Sequence, residues 1–252
     1  MSADIEVRGL VHHYTAGRCS LDGVSFRVAA GRCVGLLGPN GAGKSTLLQH
    51  LNGLLPELPV RREACVSIGG VPVTAETLHA VRRRVGFLFQ DPDDQLLSST
   101  VFEDVAFGPR QFGLAEAELV RRVRESLAAV GLQGYEQRQP RQLSQGEKRR
   151  VCLAGVLVCE PDVLVLDEPS SGLDPRGRRE FIKLVRGLPC TRLIATHDLE
   201  LAVELCEEVL VLDGGRVVAQ GPCREVLADE ALMLAHGLER PHSLSHPHVH
   251  NR

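Results

Sequence analysis

Gly38-Pro39-Asn40-Gly41-Ala42-Gly43-Lys44-Ser45-Thr46 is the most restrictive stretch of this chain. It follows the spacing G-x-x-x-x-G-K-S, in which glycines let the backbone curl with its N–H groups inward around a phosphate chain. Upstream, Cys33-Val34-Gly35-Leu36-Leu37 is a short apolar run suited to a fully buried strand. Downstream, Leu47-Leu48-Gln49-His50-Leu51 predicts a helix ending near Gly53. Strand, glycine loop and helix together put an anion at a helix N-terminus. Lys44 adds a mobile positive charge for the outer phosphates, and the Ser45 hydroxyl is of the type that ligates Mg²⁺. The bland alternative is a glycine-rich turn that only starts a helix.

The rest of the chain narrows the choice. A length of 252 residues suits one large α/β domain or a core with a smaller lobe. A net charge of −3 gives no electrostatic case for nucleic acid as the main partner. The eight cysteines are scattered without a C-x-x-C, a pattern that suits reduced, buried thiols better than a disulfide framework or a zinc site. Residues 1–6 lack the basic and apolar regions of a signal peptide, and no apolar run approaches the roughly 20 residues that span a bilayer. These features predict a soluble chain that reaches a membrane only through a partner.

In chain order, residues 5–10 and 24–28 read as strands, with 11–17 as a loop between them. Tyr14 in that loop can stack on a base or be a plain core or surface aromatic. Residues 64–73, with Gly69-Gly70 inside, read as a hairpin, and 85–89 as a strand ending on Gln90. Helical periodicity follows at 101–107 and 115–130, where Leu119, Val123, Leu127 and Val130 recur every three to four residues. Residues from about 92 to 145 thus form a mainly helical insertion in the α/β core.

Two further constellations carry chemistry. Ser144 and Glu147 make the capping box S-x-x-E at the head of a helix over 148–158, while Gly146 leaves that helix N-terminus open to an anion. Val163-Leu164-Val165-Leu166 runs as a strand straight into Asp167 and Glu168. Adjacent carboxylates at a strand's C-terminal end are costly to desolvate unless a metal or a water uses them. If this strand lies beside the phosphate-loop strand, Asp167 reaches the Mg²⁺ shell and Glu168 faces the γ-phosphate, where it can polarise an attacking water. Asp174 reads as an N-cap with Pro175 at the first helical position, and the strand 193–196 delivers His197 at its tip.

These elements in this order resemble the nucleotide-binding subunit of an ATP-binding cassette transporter, over residues of about 5 to 221. The resemblance implies an α/β fold: a P-loop NTPase (RecA-like) core with a mixed sheet, an antiparallel β subdomain and an inserted α-helical subdomain. It implies ATP and Mg²⁺ as ligands, with Tyr14 on adenine and Gly38, Pro39, Asn40, Gly41, Ala42, Gly43, Lys44, Ser45 and Thr46 around phosphates and metal. It further implies that Gln90 senses metal and the lytic water, Asp167 supports Mg²⁺, Glu168 is the catalytic base and His197 contacts the γ-phosphate. Ser144, Gly146 and Glu147 would close on the γ-phosphate of a second ATPase subunit, and Asp174 would communicate across that dimer. The segment departs from the usual LSGGQ, reading LSQGE with Gln145 and Glu147.

Phe89-Gln90-Asp91-Pro92-Asp93-Asp94-Gln95-Leu96, followed by residues 100–109, resembles the ATPase of energy-coupling-factor importers. This implies a homodimer, or a heterodimer with a paralogous ATPase, on the cytoplasmic face of the membrane. The implied partners are a transmembrane coupling subunit and a substrate-binding membrane subunit. Residues 241–252 read as a flexible tail carrying four of the ten histidines. Imidazoles suit Ni²⁺ and Co²⁺, which tilts the expectation toward cobalt or nickel import, the alternative being a disordered polar tail. The alternatives at the level of function are a vitamin importer, a soluble cassette ATPase of repair or translation, and a metal-storing or metal-sensing protein.

Overall fold

The computed structural model describes residues 2–14, 17, 19–55 and 64–245. In chain order the strands and helices open with β1 (Ile5–His13), β2 (Cys19–Val28), β3 (Cys33–Leu37), α1 (Lys44–Leu51), β4 (Val66–Ile68) and β5 (Val71–Pro72). Next come α2 (Leu78–Arg84), β6 (Val85–Leu88), α3 (Val101–Gln111), α4 (Glu116–Ala129), α5 (Gln145–Leu157) and β7 (Val163–Asp167). The chain closes with α6 (Pro175–Arg186), β8 (Thr191–Ala195), α7 (Leu199–Leu205), β9 (Glu208–Asp213), β10 (Arg216–Pro222), α8 (Cys223–Ala228), α9 (Glu230–Ala235) and α10 (His242–Ser245).

Two sheets share the work. An antiparallel sheet runs β2-β1-β4-β5, and a six-stranded sheet runs β10-β9-β3-β8-β7-β6, parallel except for the antiparallel edge strand β10. Strand β3 is buried at every position, as its unbroken apolar run requires of a strand covered on both faces. Its alternate side chains part company. Val34 and Leu36 pack with Leu47, Leu48 and Leu51 of α1 and with Val7 and Leu21 of the antiparallel sheet. Cys33 and Leu37 face the other side, with Leu201 and Ala202 of α7. Helix α1 therefore lies between two sheets, and its two faces are set by the core rather than by amphipathicity.

Helices α3 and α4 pack on α5 through Val101, Val105, Leu119, Val123 and Leu127, all fully buried. That cluster continues under the six-stranded sheet through Leu164 and Leu166, so the helical lobe shares the main core.

Three local expectations are corrected. Val11–His13 belongs to β1, because His12 and His13 pair with Leu21 and Cys19 after register shifts that begin near Gly9 (φ +57°). Tyr14 then follows the strand end, while Thr15 and Ala16 of the expected loop lie outside the described residues. Strand β7 is not beside β3: β8 lies between them. Asp167 still meets the phosphate loop, because α1 crosses back over β7 and β8 and starts at Lys44 rather than Leu47. The histidine-bearing tail begins in structure: Pro241 is buried, Leu244 packs on the core, and the Ser243 N–H donates to Glu200 Oε1 at 3.1 Å. Residues 246–252 lie outside the described residues. All eight cysteines are free, five of them buried.

Candidate active site

The phosphate loop leaves β3 at Gly38 and enters α1 through Gly43. Gly38 has φ +152°, and a Cβ there would collide with the Leu212 carbonyl oxygen at the end of β9. Gly43, the N-cap of α1, has φ +106°, and its Cβ would lie 2.5 Å from the Ser20 carbonyl oxygen. No side chain fits at either position, so the loop's main chain is pressed against β2 and β9 with its free face outward.

Lys44 is only 7% exposed. Its Nζ donates to the Gly38 and Pro39 carbonyl oxygens at 2.8 and 3.2 Å. Burial pulls its pKa below the ordinary lysine value, and the charges of Glu168 and Asp167 oppose that pull. Burial raises the pKa of Asp167, and the neighbouring Ser45 hydroxyl opposes that rise. Asp167 Oδ1 is buried with no hydrogen-bond partner. A buried, unpaired carboxylate oxygen beside a serine hydroxyl is a costly arrangement for a protein alone.

Glu168 stands where β7 ends, in the left-handed region at φ +44° and 7% exposed. That backbone costs energy in a non-glycine residue and aims the carboxylate across the strand tips. Its Oε2 lies 2.8 Å from His197 Nδ1 and accepts the His197 backbone N–H at 3.2 Å. His197 itself is open to solvent, at 65% side-chain exposure. The Tyr14 hydroxyl and Thr46 Oγ1 are 3.0 Å apart, and Ser20 Oγ donates to Thr46 Oγ1 at 3.0 Å.

Tyr14, Asn40, Gly41, Gly43, Lys44, Ser45, Thr46, Gln90, Glu168 and His197 thus line one cleft of about 450 Å³ at the carboxyl ends of the parallel strands. That is the edge where open α/β sheets bind ligands. Asp167 does not line the cleft but neighbours Ser45, Lys44 and Glu168, which do, while Gly38, Pro39 and Ala42 complete the loop. The other residues singled out in the sequence gather elsewhere. Ser144, Gly146, Glu147 and Asp174 line a second cleft of about 420 Å³, at the N-termini of α5 and α6. Ser144 caps α5 in a complete capping box with Glu147, and Asp174 caps α6 through the Gly177 N–H at 2.6 Å. Two contributors carry no sequence signal. One is Ser20. The other is Arg149, 3% exposed, which donates to the Phe89 and Ser171 carbonyl oxygens at 2.9 and 3.1 Å and ties the Gln90 segment to the turn before Asp174.

The family model described as ABC transporter matches residues 21–171, which include both the phosphate loop and the Asp167-Glu168 pair. This chain belongs to the ABC transporter family. An ABC transporter ATP-binding protein of Gloeobacter violaceus is 51% identical to it over 246 residues, covering 97% of this chain and 99% of that protein. The energy-coupling factor transporter ATP-binding protein EcfA of Carboxydothermus hydrogenoformans is 44% identical over 244 residues, covering 96% of this chain and 88% of that protein. Among solved structures, cbiO1 of Clostridium perfringens, described as part of the ABC transporter complex cbiONQ, superposes with a TM-score of 0.78 at 38% identity. The superposition covers 92% of this chain and 93% of that one. This ABC ATPase therefore has the P-loop NTPase fold of its family, and its chemistry is ATP hydrolysis coupled to transport. Among the described residues no helix is long and apolar enough to cross a membrane.

Proposed function

We propose that this ABC ATPase energises an energy-coupling-factor importer, binding at the cytoplasmic face of a membrane to a transmembrane coupling subunit and acting with a substrate-binding membrane subunit. The observation that carries the catalytic reading is the Glu168 carboxylate, held by His197 at the mouth of the cleft that the Lys44 loop floors. Near-full-length similarity to EcfA, and the place of cbiO1 in a transporter complex, support the importer class. Leu97, in the segment after Gln90, and Phe107 of α3, 82% and 63% exposed, give a membrane partner apolar surface to grip.

The steps follow from the side chains. The backbone N–H groups of residues 38–46 and Lys44 hold the phosphates of ATP, and Tyr14 stacks on its adenine. Glu168 takes the proton of the attacking water; Oε2 is engaged by His197, so Oε1 is the basic oxygen. His197, fixed with Nδ1 toward Glu168, faces the γ-phosphate, and Gln90, lining the same cleft, orients the water. Ser45 and the unpaired Oδ1 of Asp167 form a hard oxygen donor set that fits Mg²⁺. When bound there, Mg²⁺ supplies neutralisation of charge developing on the phosphates. Ser144 and Gly146 belong to the second cleft, so the γ-phosphate reaches them only on another subunit, in a homodimer or with a paralogous ATPase. Asp174, beside them, is placed to read that contact.

For the transported substrate we favour cobalt or nickel ions, on the histidines at 246, 248 and 250. Among the described residues no cluster of three or more His, Cys, Asp or Glu is arranged to hold a metal ion, so the expected ligands are those beyond residue 245. The test is recovery of the full-length protein from native membranes in mild detergent, with metal analysis of the complex. A multi-spanning partner with nickel or cobalt supports both halves of the proposal. A partner without metal points to a vitamin-type importer, and the absence of any membrane partner contradicts the importer reading. Removal of residues 246–252 with uptake and ATPase unchanged would make the tail an accessory.

A further inference from the structure

We propose that Glu147 is an internal anion that holds the hydroxyl of Ser144 in cis, with Tyr135 as its latch, and that closure on ATP requires the carboxylate to give that hydroxyl up. The inference rests on the reading of the Ser144 segment as the element that meets the γ-phosphate of a second subunit.

Helix α5 begins with its own anion already in place. Glu147 Oε2 accepts both the Ser144 backbone N–H and the Ser144 hydroxyl, each at 2.8 Å. Its Oε1 accepts the Tyr135 hydroxyl at 2.7 Å, while the Glu147 N–H donates back to Ser144 Oγ at 3.3 Å. The three donors, Tyr135 first among them, hold the carboxyl well below its ordinary range, at about 2, so it carries its charge at any working pH. The guanidinium of Arg138, 3.8 Å from the Tyr135 ring centroid, holds the ring in turn.

A serine hydroxyl has one proton to give, and here it is given to Glu147. A phosphate oxygen arriving at the N-terminus of α5 competes with Glu147 for that proton and meets the carboxylate's negative charge beside it. An amide at this position keeps the shape of the capping box, since its oxygen still takes the Ser144 N–H, but it brings no charge. The departure of this chain from glutamine at position 147 therefore weakens the grip on the partner's phosphate. The latch also belongs to the helical lobe. The carbonyl oxygens of Glu136 and Arg138 accept the N–H groups of Phe102 and Val101, each at 2.9 Å, so the turn that carries Tyr135 is fastened to the start of α3.

The experiment measures ATP-driven dimerisation of the full-length protein by sedimentation in a Glu168→Gln background, where hydrolysis does not consume the complex. Adding Glu147→Gln is expected to lower the ATP concentration for half-maximal dimer about tenfold, the scale of one charge-assisted hydrogen bond. Tyr135→Phe is expected to move it the same way by less, and to add nothing once Glu147 is glutamine. A merely structural cap would lose stability without tightening the dimer. An unchanged or raised ATP requirement in Glu147→Gln, or full additivity of the two changes, overturns the latch alone. No dimer in the Glu168→Gln protein at any ATP concentration overturns the reading of the Ser144 segment and the latch with it.

Discussion

Acidification from pH 7 to pH 5 is expected to cost the fold about 2 kcal/mol at one residue, His50. His50 sits in the last turn of α1, the helix that the phosphate loop opens, and is 4% exposed. Its Nε2 lies 3.1 Å from His12 Nδ1, and the two rings meet edge to face at 4.9 Å. His12 in turn meets Tyr14 edge to face at 4.7 Å. Burial first, then the neighbouring His12, pulls the pKa of His50 from 6.5 down to about 4, against a backbone hydrogen bond at Leu55. The unfolded chain therefore takes up a proton before the folded one does. The stability that neutral His50 contributes is complete above about pH 6.5 and is lost as the pH falls from there towards 4. At about 1.4 kcal/mol per pH unit, the interval between 6.5 and 5 is worth about 2 kcal/mol. For a chain of this size that is a fall in melting temperature of about 4–8 °C. The assay is thermal unfolding of wild type and His50→Gln at pH 7 and pH 5 at matched ionic strength; glutamine keeps a hydrogen bond to His12 and does not titrate. The wild type should lose about 4–8 °C more than the variant between the two pH values. Equal losses in the two proteins would refute the reasoning.

Other perturbations separate the binding loop from the core. Gly38→Ala places a methyl group against the Leu212 carbonyl and should abolish nucleotide binding or folding, read by ATP titration beside a melting curve. Lys44→Ala removes the loop's charge and should weaken ATP binding without lowering the melting temperature by more than a few degrees, because Nζ bonds only to carbonyls of its own loop. Leu127→Ala empties a fully buried site where α4 meets α5, and should cost about 2–5 kcal/mol in denaturant unfolding.

Much of the fold is legible in the sequence because its strongest signals are local. The apolar run at 33–37, the glycines after it, the Ser144–Glu147 box and the Asp174-Pro175 pair each specify their own turn or cap, and β3, α5 and α6 are built on them. Strand order is a different kind of information. Nothing within residues 163–168 says that β8, which follows later in the chain, slots between β7 and β3, so the expected adjacency fails while the meeting of Asp167 with Ser45 survives through α1. Ser20, Arg149 and Tyr135 are hidden for the same reason. Ser20 meets Thr46 across 26 positions and Arg149 meets Phe89 across 60, at spacings no motif prescribes. Tyr135 meets Glu147 across 12, from a turn with no periodicity of its own. The end of β1 is hidden by its register shifts, which break the alternation that marks a strand.

The most direct test of the account is a paired measurement on full-length wild type and Glu168→Gln: equilibrium ATP binding and single-turnover ATP hydrolysis. Binding is expected within a few-fold of wild type and hydrolysis slower by about 10²–10⁴, the share of a positioned general base. Hydrolysis in Glu168→Gln at the wild-type rate would contradict it, and would take from the carboxylate beside His197 the role on which the account turns.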